Sequence, residues 1–177
     1  TIINCEDDST PANLGVATAT DICSDQADII VEFTDISTQG SDPTAADYYN
    51  YTITRKWKAT DDCGINTECD QIITIQDTTR PAISCPADDI INCEDDNTPN
   101  GTGFATATDN CAAVGNIDID YSDEIIPSGI PSNYEIRRTW TATDPSGNLN
   151  SWEKIGWLTP ISTNSLSGKT FNSSFLK

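Results

Sequence analysis

The chain has 177 residues, of which 28 are acidic and nine basic, so its formal net charge is −19. Such a field repels phosphate backbones and anionic lipid, which excludes nucleic-acid binding and argues against binding to a membrane surface. No run approaches the roughly 20 apolar residues of a membrane-spanning helix. Seven cysteines in a short chain indicate a secreted or cell-surface protein, and the lack of histidine and of paired Cys-x-x-Cys motifs weighs against zinc.

One phrase occurs twice in the chain. "INCEDDSTPANLGVATATDIC" (3–23) and "INCEDDNTPNGTGFATATDNC" (91–111) match in register at an offset of 88 residues. This period predicts a first module at 1–77, a second module at 78–158 and an irregular tail at 159–177. "DTTRPAISCPAD" before the second phrase has no counterpart before the first. We therefore expect the first module to lack its opening strand or to receive it from a neighbouring chain.

Short strands separated by Gly, Pro, Asn and Asp turns are predicted along both repeats. In chain order they are "GVATATD" (15–21), the segment around Ile29, Val31 and Phe33, "NYTITRKWKAT" (50–60), "CDQIITIQ" (69–76), "AISC" (82–85), "DIIN" (89–92), "GFATATD" (103–109), the segment around Ile117, Ile119 and Tyr121, "YEIRRTWTA" (134–142) and "WEKIGWL" (152–158). Strict alternation along 50–60 and 134–142 places Trp57 and Trp140 in the core. The predicted fold is all-β, with two tandem immunoglobulin-like antiparallel β-sandwiches.

Four of these segments resemble the hyalin-repeat (HYR-like) immunoglobulin-fold modules found in tandem on large secreted and surface proteins, notably of Bacteroidetes-type bacteria. They are "DTTRPAISCPADDIINCEDD", "ATATDNC", "YTITRKWKATDDCG" and "YEIRRTWTATDPSG", and the resemblance covers about residues 1–158. It implies a stalk-like or adhesive array without catalytic activity. The chain departs from the family pattern in the missing first strand, and in Ser146 and Trp152 at the positions of Cys63 and Cys69.

The cysteines admit more than one pairing. Cys63 and Cys69 are both absent from the second repeat, which predicts a bridge between them across a hairpin loop. The recurring spacing predicts Cys5 with Cys23 and Cys93 with Cys111, and leaves Cys85 over. Because the first strand and the loop after the second strand share one pole of a sandwich, Cys85 with Cys111 is the alternative.

Clusters of acidic residues in the turns are candidate calcium ligands, because calcium takes six to eight oxygen ligands from carboxylates and carbonyls. The predicted metal ligands are Asp61, Asp77, Asp109 and Asp144, close to the boundary between the repeats. The alternative is an acidic surface that keeps a secreted protein soluble. Asp77-Thr78-Thr79 and Asp8-Ser9-Thr10 resemble an O-glycosylation pattern of Bacteroidetes, with Thr78 and Ser9 as acceptors; their ordinary interpretation is a linker and a turn.

No catalytic site is predicted, because the chain has neither a histidine base nor a Gly-x-Ser-x-Gly turn. The predicted function is a non-catalytic extracellular structural or adhesive module, a subunit or stalk of a surface filament. Its predicted partners are neighbouring repeats or further copies, joined by strand donation. The alternative is a carbohydrate- or protein-binding module or calcium-dependent adhesion. The candidate aromatic binding residues are Tyr48, Tyr49, Trp152 and Trp157.

Overall fold

The computed structural model describes residues 1–92, 94–127, 129 and 134–158, and only the backbone of 154–158. The described residues form ten strands: β1 (Ile2–Asn4), β2 (Ile30–Ser37), β3 (Tyr51–Thr60), β4 (Asn66–Gln76), β5 (Ala82–Ser84), β6 (Ile90–Ile91), β7 (Thr106–Thr108), β8 (Asp118–Pro127), β9 (Tyr134–Thr143) and β10 (Leu149–Leu158). The helices are short: α1 (Pro11–Leu14), α2 (Pro99–Thr102), and 3-10 turns at Gln26–Asp28, Ala46–Tyr48 and Val114–Asn116. The predicted all-β class is confirmed.

The two repeats build sheets of the same strand order. The first sheet runs β1-β4-β3-β2, the second β6-β10-β9-β8, and β5 pairs with β7 in a third, two-stranded sheet. β3 pairs antiparallel with both β2 and β4. β1 and β6, however, lie parallel to β4 and β10. Each four-stranded sheet thus carries one parallel edge that the alternation pattern did not predict, since that pattern reports which face a residue takes and not the direction of its neighbour.

The predicted tryptophan positions are confirmed as core. Trp57 is 5% exposed and Trp140 is 2% exposed. The Trp57 ring packs 5.2 Å from the ring of Phe33. In the second repeat the Trp140 ring packs 5.3 Å from that of Tyr121, so the two repeats use the same aromatic pair.

A buried arginine lies next to each tryptophan, on the same face of its strand. In the first repeat, Arg55 Nε donates to Asp35 Oδ1 at 2.8 Å and Arg55 Nη2 donates to Asp35 Oδ2 at 2.9 Å. In the second repeat, Arg138 makes the equivalent pair with Asp123, at 2.7 and 2.8 Å. Each guanidinium also lies over an aromatic ring, 4.8 Å from the Phe33 centroid for Arg55. The duplication therefore extends to the polar contacts inside each sheet.

The phrase "ATATD" forms a strand in the second repeat only. Thr106–Thr108 is β7 and pairs antiparallel with β5. The strand predicted at 15–21 does not form. Among the described residues no other strand pairs with Thr18–Thr20. A short segment of alternating small residues needs a partner to become a strand.

The chain divides into two compact units that interleave along the sequence. The first comprises 1–84, 106–120 and 141–151, and the second comprises 85–105, 121–140 and 152–177. The predicted modules, 1–77 and 78–158, stay a prediction, and the predicted tail at 159–177 lies outside the described residues. Among the described residues no helix is long and apolar enough to cross a membrane.

Candidate functional site: a disulfide-linked aspartate junction

Two types of aspartate turn build the site, and each type occurs once per repeat. After β3, Asp61 Oδ1 accepts the Ile65 N–H at 2.7 Å, and after β9 Asp144 Oδ1 accepts the Asn148 N–H at 2.9 Å. Gly147 adopts φ +87° in the second turn, a conformation that side chains rarely take. The motif Asp-x-x-Gly is therefore held by hydrogen bonds within the turn itself.

The second type of turn lies at the cysteine phrase. Asp109 Oδ1 accepts the N–H groups of Cys111 and Ala112 at 2.8 and 2.9 Å. In the first repeat Asp21 Oδ1 accepts the N–H groups of Cys23 and Ser24 at the same two distances. These bonds hold the backbone of each cysteine loop in the same turn.

One disulfide forms among the described residues, and it joins the two copies of the phrase. Cys5 bonds Cys111 across 106 residues of sequence, with the Cα atoms 6.0 Å apart. Asn110 Nδ2 donates to Cys111 Sγ at 3.1 Å, and Asn4 Oδ1 accepts the Cys5 N–H at 2.7 Å. We call Cys5, Asp77, Asp109, Cys111 and Asp144 the junction site.

The predicted pairings within each repeat are wrong. Cys5 and Cys111 bond each other, which excludes Cys5 with Cys23, Cys93 with Cys111, and the alternative of Cys85 with Cys111. Duplication explains the error, because a bridge within one repeat and a bridge between two repeats give the same pattern in sequence. Cys93 itself lies outside the described residues.

The predicted bridge between Cys63 and Cys69 is wrong as well, since both are exposed free thiols, as is Cys23. The turn that contains Cys63 ends at Asn66, where β4 begins. Cys69 lies three residues further along β4, opposite Trp57 of β3. Three extended residues span about 10 Å. A disulfide needs Cα atoms within roughly 7 Å, so the hairpin geometry separates this pair.

Asp77 is one of two buried carboxylates of the junction site, and like Asp144 it has only 4% of its surface exposed. The Thr79 N–H donates to Asp77 Oδ1 at 3.1 Å and the Ser146 hydroxyl donates to Oδ2 at 3.1 Å. Asn148 Nδ2 donates to the Asp77 carbonyl at 3.1 Å. Two donors therefore hold the side chain of Asp77 and a third holds its main-chain carbonyl, at a residue that the sequence placed in a linker.

The electrostatics of the junction site are unfavourable to so many negative charges. Burial raises the pKa of Asp77, and the nearby charges of Asp109 and Asp144 raise it further, against the lowering effect of its hydrogen bonds. Asp109 Oδ2 is buried and has no hydrogen-bond partner among the described residues. A ligand oxygen from Asp77, one from Asp109 and the Cys111 sulfur lie within 4.8 Å of one another. A proton or a cation shared between Asp77 and Asp109 would relieve the repulsion between their charges.

The donor set fits an oxygen-preferring cation only in part. Asp77 and Asp109 supply carboxylate oxygens of the kind that calcium binds, whereas the Cys111 sulfur is committed to the disulfide. Both oxygens of Asp144 accept bonds from Asn148. Asp61, the fourth predicted ligand, groups instead with Asp62 and Cys63 in its own turn.

The remaining candidate residues fall elsewhere. Tyr49 is 5% exposed and Tyr48 packs against the same core cluster, while Trp152 is 60% exposed. The side chain of Trp157 lies outside the described residues. Of the candidate glycosylation residues, Thr78 is exposed and Ser9 is half-buried, with its carbonyl accepting from Arg55 Nη2.

Several residues around the junction site were not predicted from the sequence. Ser146 stands out in the sequence only as the residue at the position of Cys63, and neither Asn148 nor Asn110 is singled out. The available signal was that Ser146, Asn148 and Asn150 replace Cys63, Ile65 and Thr67, a cluster of polar substitutions confined to one repeat. Their hydrogen bonds to Asp77 and to the Pro81 carbonyl explain the change.

Comparison with known proteins adds little. No family model and no curated protein matches the chain. Among solved structures, the chain is similar to one described as "Protocadherin gammaB7 EC3-6 cis-dimer structure", with a TM-score of 0.36 and 18% identity over 78% of this chain and 42% of the other. The chain thus spans less than half the length of the protocadherin chain, and at this TM-score the likeness carries no argument about function.

Proposed function

We propose that this chain is part of a non-catalytic extracellular repeat array whose role is mechanical. The observation that carries the proposal is the Cys5–Cys111 disulfide, which joins matching phrases of successive repeats. Disulfides persist in secreted and cell-surface proteins, and a bridge of this kind holds one repeat against the next. The burial of Tyr49 favours this function over glycan binding, since a buried ring presents no stacking surface.

Single-molecule stretching from residue 1 to residue 177 tests the mechanical role. In the oxidised protein the segment between Cys5 and Cys111 is shielded from force, whereas reduction releases its 106 residues. We expect the fully extended length to grow by about 350–380 Å on reduction. The Cys5→Ser variant should give the longer extension with or without reductant, and Cys23→Ser should behave as the unsubstituted chain.

Two results would contradict the proposal. Equal extension in oxidised and reduced protein would show that the bridge bears no load. Electron microscopy of native material would exclude the proposed repeat array if it showed the parent protein as a discrete particle and not as a rod or a polymer.

A second candidate function, calcium-dependent stiffening of the junction, is favoured by the buried Asp109 oxygen that lacks a partner beside Asp77. Asp77 and Asp109 would hold the ion, which would neutralise their mutual repulsion. We expect millimolar CaCl2 to raise the melting temperature, and EDTA to reverse the effect. MgCl2 should do so less, because magnesium demands a stricter octahedral geometry.

The matched control is the equivalent aspartate of the first repeat. Asp109→Asn should abolish the calcium effect, whereas Asp21→Asn should preserve it, because Asp21 makes the same two backbone hydrogen bonds. No shift in the unsubstituted protein, or equal loss in both variants, would exclude calcium at the junction site.

A further inference from the structure

The first repeat presents a surface that corresponds, position for position, to a buried surface of the second. In the second repeat Ala107, Ala112, Ile117 and Ala142 are buried in one cluster with Tyr49, against which Ile83 of β5 also packs. The counterparts in the first repeat are Ala19, Ser24, Ile29 and Ala59, and all four are only half-buried. We call Thr18–Thr20, Cys23, Ser24, Ile29 and Ala59 the open cradle.

The edge of the open cradle has no strand beside it among the described residues. Thr18–Thr20 corresponds to β7, which pairs with β5 in the second repeat. In the first repeat a side chain takes the place of a strand such as β5: the Gln26 side-chain amide donates to the Ala19 carbonyl at 2.9 Å. A strand edge whose acceptor is satisfied by one exposed side chain can accept a partner strand at low cost.

The loop that carries the cysteine of the open cradle makes the same backbone hydrogen bonds as its counterpart in the second repeat. Asp21 holds Cys23 and Ser24 with the same two hydrogen bonds that Asp109 gives Cys111 and Ala112, at 2.8 and 2.9 Å in both repeats. Cys111 is in a disulfide, and Cys23 is an exposed free thiol. Since these local bonds are the same in the two loops, the Cys23 loop is preorganised to form a bridge.

We infer that the open cradle receives a preceding repeat of the same sequence type, which pairs its counterpart of β5 with Thr18–Thr20 and bonds its counterpart of Cys5 to Cys23. The inference rests on the proposed function, of which it names the partner and the contact surface. The two thiols lose two electrons and two protons to a low-molecular-weight disulfide such as oxidised glutathione, which leaves as two thiols. The first repeat places Tyr49 in one cluster with Ala107 and bonds Cys111 through Cys5. A preceding repeat of the same sequence type would offer the same two residues to the open cradle.

The open cradle differs from its counterpart in the second repeat in three side chains that would contact the docked repeat. Ser146, Asn148 and Asn150, which bind Asp77 and the Pro81 carbonyl, are replaced by Cys63, Ile65 and Thr67. The open cradle must therefore rely on strand pairing, apolar contact and the disulfide. Cys63 is a poor competitor for the bridge, because the adjacent charges of Asp62 and Asp61 raise the pKa of its thiol and reduce the thiolate that attacks.

The test is to add one copy of residues 1–88 directly before Thr1 of the full chain, refold in a glutathione buffer and map the disulfides by mass spectrometry. The added copy carries Cys23→Ser, so that its peptides differ from those of the original chain and it has no Cys23 of its own. We expect loss of iodoacetamide labelling at Cys23 and a cross-linked peptide between Cys23 and the Cys5 of the added copy. In hydrogen exchange, the amides of Thr18 and Thr20 should slow at least about tenfold relative to the 177-residue chain, which corresponds to about 1.4 kcal/mol of docking.

The control is the extended chain with Cys5→Ser in the added copy only, in which Cys23 should label fully. The original Cys5–Cys111 bridge reports in every sample whether the junction has formed. If that bridge forms while Cys23 stays labelled, or bonds Cys63 or Cys69, the inference is overturned and the proposed function stands. If the Cys5–Cys111 bridge itself fails to form in the unextended chain, the proposed function falls.

Discussion

At the scale of single residues, each repeat depends on one buried arginine. Arg55 is 2% exposed and pairs through two hydrogen bonds with Asp35, whose side chain is 34% exposed. The alternation of β3 predicted that Arg55 shares a face with Trp57, but it could not supply the partner, because Asp35 comes from a different strand. A bidentate pair of this kind orients two strands as well as contributing energy.

Arg55→Met should lower the free energy of unfolding by about 2 kcal/mol, because the buried Arg55 loses two charge-assisted hydrogen bonds to Asp35 and one to the Ser9 carbonyl, while Asp35 at 34% exposure stays partly hydrated. The neighbouring Lys56→Met is the control. Its pair with Asp70 is 3.5 Å long and both side chains are over 40% exposed, so a loss of at most about 1 kcal/mol is expected. Urea unfolding measures both, and equal losses would show that the buried pair has no special role.

Asp77 predicts a characteristic dependence of stability on pH. Because burial raises its pKa in the folded state, the folded protein binds this proton more tightly than the unfolded chain does. Its contribution to stability is therefore greatest below the unfolded pKa of about 3.9, and is lost as the pH rises through the higher folded value.

Asp77→Asn should remove that loss, so the difference in stability between variant and parent should shift in favour of the variant from pH 4 upward. Urea midpoints at a series of pH values measure it. Asp21, whose pKa is lowered by the N–H groups of Cys23 and Ser24, acts in the opposite direction. Asp21→Asn should therefore lose stability relative to the parent as the pH rises from the lowered folded pKa of Asp21 through the unfolded value of about 3.9, with no further change above it. Identical profiles for the two variants would contradict this assignment.

At the scale of elements, a disulfide links β1 to the loop after β7 and closes most of the first compact unit. The bridge spans 106 residues, and a loop of this length stabilises by up to about 4.7 kcal/mol through the entropy of the unfolded chain. The strand β1 has only three residues and pairs along one edge of β4, so it gains most from the bridge.

Cys5→Ser should therefore lower the urea midpoint strongly, and hydrogen exchange should show that the amides of β1 open first. Cys23→Ser should leave the free energy of unfolding within about 0.5 kcal/mol of the parent, because Cys23 is exposed and unbonded. If dithiothreitol destabilises the Cys5→Ser variant as much as it destabilises the parent, another bridge carries the stability.

At the scale of the whole molecule, the net charge of −19 opposes folding by self-repulsion. The described ion pairs are few compared with 28 acids, and three of the five have both side chains over a third exposed. Repulsion between unpaired carboxylates should therefore dominate at low ionic strength.

Raising NaCl from about 0.01 M to 0.15 M shortens the Debye length from about 30 Å to about 8 Å, so we expect the melting temperature to rise. The combined variant Glu6→Gln, Asp25→Asn and Asp28→Asn, which changes three exposed acids, should show a smaller rise. A fall in stability with salt would mean that attractive pairs such as Arg55 with Asp35 outweigh the repulsion.

The sequence by itself determined the duplication, the all-β class, most strands and the buried tryptophans, because period-two alternation and aspartate turns are encoded by residues close together in the chain. Which cysteines bond, which strand lies beside Thr106–Thr108, and that Asp77 meets Asp109 were decided only by tertiary structure. The physical reason is that these contacts join loops up to 106 residues apart, and a duplicated pattern gives Cys5 equivalent local surroundings in both repeats. The pairing of β5 with β7 and the buried cluster that includes Tyr49 and Ala107 bring the correct loops together.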